Sequence, residues 1–543
     1  MSESEHIYDV IVVGSGGAGF ATALGAADAG LEVLLLEGTD RWGGSTAMSG
    51  GGLWLPDNPL MRRDGVADSR EEALAYLEAT VGDQGPATSR ARKEAFVDGV
   101  ADLVDTARRH GVVFTRAPDY PDYYPERTGG KIGRAVEVDP VDTRAAGPWW
   151  PTLRTPAAMP VKTDDVWLLQ RAWSTPAGFV RGAEVVRRVA LSTLRGRRLA
   201  GIGAGLAVSL LRAVVGRLKV PLWLESPLES LVVENGRVVG VRTVREGRSV
   251  EVRARRGVML AAGGFDHNTA WRRKYHGIDG DPSGNPGDLG GPIELAHEAG
   301  AALDLMDDAW WGASIAAAPG HEPAFIVGER ALPYSIMVDA RGERFANEAE
   351  SYVDLGHHML EHDRGGAFWL IGDARHARRY LRTFALDPRK NKAMADAGIL
   401  VKASDLAGLA HRIDVDPDRL RATVDRFNGF ARAGIDADFH RGDSAYDRYY
   451  GDPTVRPNPC LGPLEKGPFT AFRVVVGDLG TKGGVLTDAD ARALREDGSV
   501  IEGLYAAGNT SASVMGRTYP GPGSTIGPAA VFGVRGARHM AAG

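Results

Sequence analysis

Cysteine is almost missing from this sequence. Cys460 is the single one in 543 residues, which excludes an internal disulfide framework, a cysteine-rich zinc site and a self-held iron–sulfur cluster. It also points to a reducing compartment, the cytoplasm. An excess of basic charge is missing too. The formal net charge is −6, which argues against nucleic acid as a partner. The N-terminal "MSESEHIYDV" lacks a basic segment followed by an apolar one, so no secretory leader is read there. The most apolar later window, "LAGIGAGLAVSLLRAVVGRL" (199–218), carries Arg212 inside it and reads as a packed helix. H-E-x-x-H, G-x-S-x-G and G-x-x-x-x-G-K-[ST] do not occur in a fitting context. The three histidines of "GHHMLEHD" (356–363) read as solvent-facing helix residues, and no metal site is expected.

Hydrophobic residues make up 43% and charged residues 25%, the balance of a globular chain with two to four domains' worth of core. Residues 8–38, "YDVIVVGSGGAGFATALGAADAGLEVLLLEG", read as strand, glycine-rich turn, helix and strand, the βαβ opening of a doubly wound sheet. Around 222–264 the pattern changes to short strands, with Glu234-Asn235-Gly236 as a hairpin turn. "RGVMLAAGGF" (256–265), "FRVVVGDLGTKGGVLTD" (472–488) and "IEGLYAAGNTS" (501–511) read as buried strands with glycine-rich ends. The fold class is therefore α/β: a split Rossmann-like cofactor domain (1–303 and 466–543) with an inserted α+β catalytic domain (304–465). Residues 140–178, rich in Pro and Trp, read as a long loop that packs or shapes an apolar mouth. "RGAEVVRRVALSTLRGRR" (181–198) sets Arg181, Arg187, Arg188, Arg195, Arg197 and Arg198 beside apolar residues. A solvated helix face and a peripheral membrane contact at the inner face both suit that pattern.

Gly14, Gly16 and Gly19 form G-x-G-x-x-G between a strand and a helix. Gly14 permits the tight turn, Gly16 lets a pyrophosphate approach the backbone, and Gly19 permits close helix packing; Gly17 and Ala18 lie between them. Glu37, followed by Gly38, stands at the end of the second strand, where an acid bonds a ribose hydroxyl. The next segment decides between NAD and FAD. Gly43, Gly44, Ser45, Thr46, Ser49, Gly50 and Gly51 follow that strand directly and would wrap a long extended dinucleotide. Ala262 and Gly263, with Gly508 and Asn509, end later strands of the same sheet. Together they favour FAD.

"DVIVVGSGGAG", "GGSTAMSGG", "AAGGF", "DLGTKGG", "GLYAAGNTSAS" and "YPGPG", in this order, resemble the flavoprotein superfamily of fumarate reductase and succinate dehydrogenase. More narrowly they resemble the 3-ketosteroid Δ1-dehydrogenases, over nearly the whole chain. The resemblance implies oxidation of the C1–C2 bond of a 3-oxosteroid, with hydride passing to flavin N5. It implies that Tyr519 and the N–H of Gly523 hold the 3-keto oxygen, that Tyr352, after Asn347-Glu348, is the base, and that Tyr123 assists it. Tyr120, in the duplicated "PDY", is the rival for that last role. A helix beginning at Ser524, Thr525 or Ile526 would point its positive end at the flavin pyrimidine. "WGGSTAMSG" has no histidine, so the FAD is expected to be noncovalent. A quinone or similar acceptor is the expected electron partner, since no second βαβ unit for nicotinamide is apparent. The alternatives are a 3-oxosteroid 4-dehydrogenase, a fumarate-reductase-like ene-reductase, and an electron-transfer subunit of a membrane assembly.

Overall fold

The structure is a computed structural model that describes residues 6–154 and 159–543. Residues 1–5 and 155–158, parts of the acidic N-terminus and of the Pro/Trp-rich stretch, lie outside the described residues.

An eight-stranded sheet forms the first layer. Its main path runs Arg492–Leu494, Val500–Ala506, Arg248–Leu260, His6–Val13, Val33–Leu36 and Leu222–Trp223. His6–Val13 pairs in parallel with both Arg248–Leu260 and Val33–Leu36. Val10 to Val13 and Val33 to Leu36 are buried, because helices cover both faces of a parallel sheet and leave no solvated side. The hairpin falls where the sequence places it, with Asn235 and Gly236 at φ +52 and +77 between Leu228–Glu234 and Arg237–Arg245. Strands from both ends of the chain thus lie in one sheet, as α/β topology with a late-returning strand requires.

Two helices lie against this sheet and against each other, Gly17–Asp28 and Ile526–Ala542. Their approach is close because small residues face each other. A Cβ on Gly25 would stand 3.1 Å from the Ala537 Cβ, and one on Gly533 would stand 2.7 Å from the Ala18 carbonyl oxygen.

A seven-stranded sheet forms the second layer, with Phe469–Thr481 as its central strand and Ala309–Ile315, Phe368–Gly372 and Leu400–Ala403 beside it. That central strand lies beyond residue 465, the boundary read from the sequence, and Asp281–Pro282 also joins this sheet. The apolar run of residues 469–476 is compatible with either sheet, and only its pairing decides. Residues 469–481 and 281–282 therefore go with the second sheet.

The window 199–218 is a buried helix, Ile202–Leu211, continued by a wider turn over Arg212–Arg217. The basic helix before it, Pro176–Leu194, buries only Gly178. Trp173, Phe179, Val180, Val186, Val189, Leu191 and Leu194 are all exposed on and beside it.

Candidate active site: a dinucleotide cradle facing a cluster of tyrosines

The glycine motif has three distinct spatial reasons. Gly14 sits at φ +104, and a Cβ there would fall 2.3 Å from the Ala261 carbonyl oxygen of the neighbouring strand. A Cβ on Gly19 would fall 1.8 Å from the Gly14 carbonyl oxygen. A Cβ on Gly16, by contrast, would meet only the Thr46 hydroxyl at 3.9 Å. The outer two glycines are needed by the protein's own packing, while the middle one leaves open space at a helix N-terminus. That is the arrangement a pyrophosphate needs.

The second glycine-rich segment closes over this turn. The Gly17 N–H donates to Thr46 Oγ1 at 2.9 Å, and the Gly43 N–H donates to Ser15 Oγ at 3.1 Å. Gly43 is left-handed at φ +101, and so is Gly51, at +73. Ser49 caps its own turn through Thr46, while Gly50 accepts from Thr163. Glu37 is buried at the strand end, and its carboxylate takes donors from Ser15 and Thr39. Gly38 lies beside Pro227. From the far strands, Gly263 accepts from Thr510, next to Ala262. Gly508 approaches Ala18, and Asn509 accepts from the Trp310 indole at 3.1 Å. The N-terminus of the last helix meets that of the first: a Cβ on Gly17 would lie 3.4 Å from an Ile526 methyl. A narrow cavity bounded by Trp310, Gly508, Asn509, Ser524 and Thr525 opens there.

Tyrosines line the other side. Tyr519 and Tyr352 have ring centroids 4.7 Å apart, Tyr123 lies 5.2 Å from Tyr519 and 5.5 Å from Tyr352, and all three are buried. Tyr120 lies behind them. Its hydroxyl meets Tyr450 at 2.5 Å and Tyr123 at 3.5 Å, and its ring stacks on Tyr449 at 4.7 Å. Tyr123, not Tyr120, is the one in ring contact with Tyr352. Trp167, from the Pro/Trp-rich stretch, packs edge-on against Tyr450 at 5.0 Å. That stretch therefore supports the cluster from outside.

Each phenol has a different electrostatic setting. Burial pushes the Tyr352 phenol well above its ordinary value, and Tyr519 pushes the same way. Tyr352 opens the helix Tyr352–His362, so its side chain leans toward the helix N-terminus, whose partial positive charge favours a phenolate. Burial also raises Tyr519. The Thr525 hydroxyl, the Tyr352 phenol and the N–H groups of Gly523 and Thr525 oppose that rise. Gly523 is left-handed at φ +96, and a Cβ there would stand 2.3 Å from the Gly52 carbonyl oxygen. The Tyr519 hydroxyl and the Gly523 N–H thus lie together, preorganised by a loop that no side chain at 523 would allow.

Charged groups fix the start of the Tyr352 helix from behind. Burial alone would raise the Glu348 carboxyl, but Arg344 and Arg441 hold it down at about 2. Arg344 and Arg441 bond its carboxylate at 2.7 and 3.1 Å. Arg330 clasps the carbonyls of Glu348 and Glu350, and the Asn347 amide donates to Asp447 at 3.0 Å. The Asn-Glu pair before Tyr352 is scaffolding for the helix that carries it. His357, His358 and His362 each meet a different carboxylate, of Asp308, Glu350 and Asp339. They are half-buried or exposed on one helix and do not converge.

Comparison with known proteins fits this geometry. An FAD binding domain model matches residues 9–526. A 3-oxosteroid 1-dehydrogenase of Mycolicibacterium smegmatis is 44% identical over 98% of this chain and 97% of its own. The chain belongs to the 3-oxosteroid 1-dehydrogenase family. A solved family member, the 3-ketosteroid Δ1-dehydrogenase of Sterolibacterium denitrificans in complex with 1,4-androstadiene-3,17-dione, is 37% identical. It aligns with a TM-score of 0.92 over 99% of this chain and 100% of that one. A 4-oxocyclohex-2-ene-1-carboxylate 5-dehydrogenase of Sinomonas cyclohexanicum is 36% identical over 98% of this chain and 93% of its own.

Family membership makes the protein an FAD-dependent oxidoreductase. Several residues of the site were not legible beforehand. Asp288 accepts from Ser45 at 2.9 Å inside the cradle, and burial pushes its carboxyl up to about 7. Its only signal was an acid between glycines in "PGDLGGP". Tyr446 packs 4.3 Å from Tyr123, and Trp310 stands edge-on to Tyr519 at 5.4 Å. Neither belongs to a motif. Lys482 is buried, with its ammonium 3.2 Å from Asp308 and over the Trp310 ring. It lies among the glycines of "DLGTKGG".

Proposed function

We propose that the protein desaturates the C1–C2 bond of a 3-oxosteroid. The observation that carries this is the meeting of Tyr519 Oη, the Gly523 N–H and the Tyr352 phenol beside a dinucleotide cradle. Two hydrogen-bond donors at one point suit a ketone oxygen gaining negative charge, and a phenolate at a helix N-terminus suits removal of the adjacent proton. In this assignment Tyr519 and Gly523 hold the 3-keto oxygen, Tyr352 takes the C2 proton, and Tyr123 holds Tyr352 in place. Bound FAD supplies the acceptor for the hydride leaving C1. Residues 304–465 together with 466–481 would form the substrate-facing domain, and the rest the FAD domain.

Two alternatives lose support. An ene-reductase acting on an unsaturated acid needs a free cationic grip for a carboxylate. Arg517 is instead bonded to Asp307 at 2.8 and 2.9 Å, and His357 to Asp308. An electron-transfer subunit needs no converging tyrosines and no ketone-binding donor pair. Among the described residues, no helix is long and apolar enough to cross a membrane.

Anaerobic mixing of the purified yellow protein with androst-4-ene-3,17-dione tests the reaction. Bleaching of the flavin band with formation of the Δ1 product is expected. A band that stays oxidised with this substrate, but bleaches with a smaller ring ketone, would move the assignment to another ketone.

The same reading includes a cytoplasmic location, a quinone as electron acceptor and peripheral contact with the inner membrane face. Support comes from the helix Pro176–Leu194, whose exposed Phe179, Val186 and Leu194 lie among Arg187, Arg195 and Arg197. The holoenzyme is expected to float with vesicles containing anionic lipid and to remain unbound with neutral ones. Equal recovery in both would remove the membrane part and leave the chemistry untouched.

A further inference from the structure

The loop carrying Tyr519 has few donors of its own. Pro520 and Pro522 have no N–H; within the loop Ser524 clasps Gly521, and donors from elsewhere hold the rest. The Trp54 N–H donates to the Gly523 carbonyl at 3.1 Å. The Pro520 carbonyl receives two bonds, from the Tyr123 N–H at 2.9 Å and from Tyr76 Oη at 2.6 Å. Tyr76 Oη in turn accepts the Tyr124 N–H at 3.2 Å. One phenol therefore joins the loop of Tyr519 to the segment of Tyr123.

Tyr76 is itself held rigidly. It is fully buried on the helix Arg70–Thr80, with the Trp54 ring 5.9 Å away and the Arg134 guanidinium 5.3 Å above its own ring. Arg134 is paired with Asp68 and Asp122 at 2.7 and 2.8 Å, and Asp122 accepts the Trp54 indole at 2.7 Å. The Trp54 ring fills the space beside Gly521, where a Cβ would stand 2.3 Å from it. None of these groups needs to touch a substrate. Their arrangement joins a charged, buried frame to the Pro520 carbonyl through a single hydroxyl.

We infer that Tyr76 is a positioning residue, whose hydroxyl sets the placement of Tyr519 relative to Tyr123 and through it the rate of substrate oxidation. The inference rests on the roles proposed above for Tyr519 and Tyr123. Its chemical content is one hydroxyl whose loss removes two hydrogen bonds, leaving the Tyr124 N–H without that acceptor and the Pro520 carbonyl with one partner in place of two.

The test is a cycle of Tyr76→Phe and Tyr519→Phe in the holoenzyme, read as the rate of anaerobic flavin reduction by androst-4-ene-3,17-dione. Tyr76→Phe should slow reduction about tenfold, the scale of one buried hydrogen bond, with FAD content and KM within twofold of the parent. In the Tyr519→Phe background the same change should cost less than twofold, because a residue that acts through Tyr519 has nothing left to position. Replacing Tyr76 by a fluorotyrosine, which keeps the hydroxyl, should restore the parent rate. A rate for Tyr76→Phe within twofold of the parent, or the same loss in both backgrounds, would overturn the inference. Hydrogen exchange gives a readout that needs no substrate and survives failure of the reaction assignment. Peptides around 514–526 and 118–126 should exchange faster together in Tyr76→Phe. A change confined to the helix 70–80 would also overturn the inference.

Discussion

Tyr352→Phe is expected to give a yellow, folded protein in which a 3-oxosteroid reduces the flavin more slowly by roughly 10²–10⁴, the usual contribution of a positioned general base. The phenol is buried and touches Tyr519, Tyr123 and Phe325 through ring contacts. The phenylalanine ring fills the same space, so the change removes only the hydroxyl proposed to accept the proton. Stability should move by less than about 1.5 kcal/mol, the range of a conservative core change without a cavity. The pH dependence carries the same argument further. Burial raises the Tyr352 phenol well above its ordinary value, and only the phenolate can take a proton. The parent kcat/KM should therefore climb with pH through the alkaline range, while the residual rate of the variant should be flat there. A parent profile that falls as pH rises would assign the base to another group. A variant retaining more than a tenth of the parent rate would do the same.

The roles proposed for these side chains show why part of the site could be read in the sequence. The cofactor turn is local: strand, glycines and helix follow one another, so the role proposed for Gly14, Gly16 and Gly19 rests on spacing together with that context. "YPGPG" is also local, since its prolines and glycines are backbone instructions. The residues that hold these segments are not local. Asp288 reaches Ser45 across more than 240 positions, and Tyr76 reaches Pro520 across 444. A lone tyrosine in "REEALAYLEAT" carries no mark that its hydroxyl ends on a carbonyl of the loop beside Tyr519. The choice between Tyr120 and Tyr123 had the same character. Both lie in "PDY" repeats, and only the packing sends one toward Tyr352 and the other toward Tyr450. The sheet to which the strand after 465 belongs is illegible for a related reason. A buried strand advertises its apolar character but not the sheet that pairs with it, and Phe469–Thr481 is long enough to form the axis of the second sheet.

Gly19→Ala is expected to yield a protein that is colourless and poorly folded, whereas Gly16→Ala should be colourless but stable. The two glycines belong to one motif, yet their surroundings differ in kind. At Gly19 the added methyl would sit 1.8 Å from the Gly14 carbonyl oxygen, a backbone atom that is itself pinned by the left-handed turn against Ala261. Neither side can yield without moving the first helix off the sheet. That helix also packs along the last one, through Gly25 and Gly533, so the displacement would spread to the loop of Tyr519. Overpacking of this sort costs about 1–3 kcal/mol where side chains can adapt, and more where only backbone is in the way. At Gly16 a methyl meets nothing closer than 3.9 Å, so the fold tolerates it. It occupies the space proposed for the pyrophosphate at the helix N-terminus, and a loss of about 3 kcal/mol there would weaken binding by roughly a hundredfold. Thermal unfolding and flavin content, measured on both variants beside the parent, separate the two effects. Gly291→Ala, at a helix position with open space around it, is the control that should stay yellow and stable. A yellow Gly19→Ala would mean that the helix and the sheet do not need this contact. A yellow Gly16→Ala would mean that the pyrophosphate approaches elsewhere.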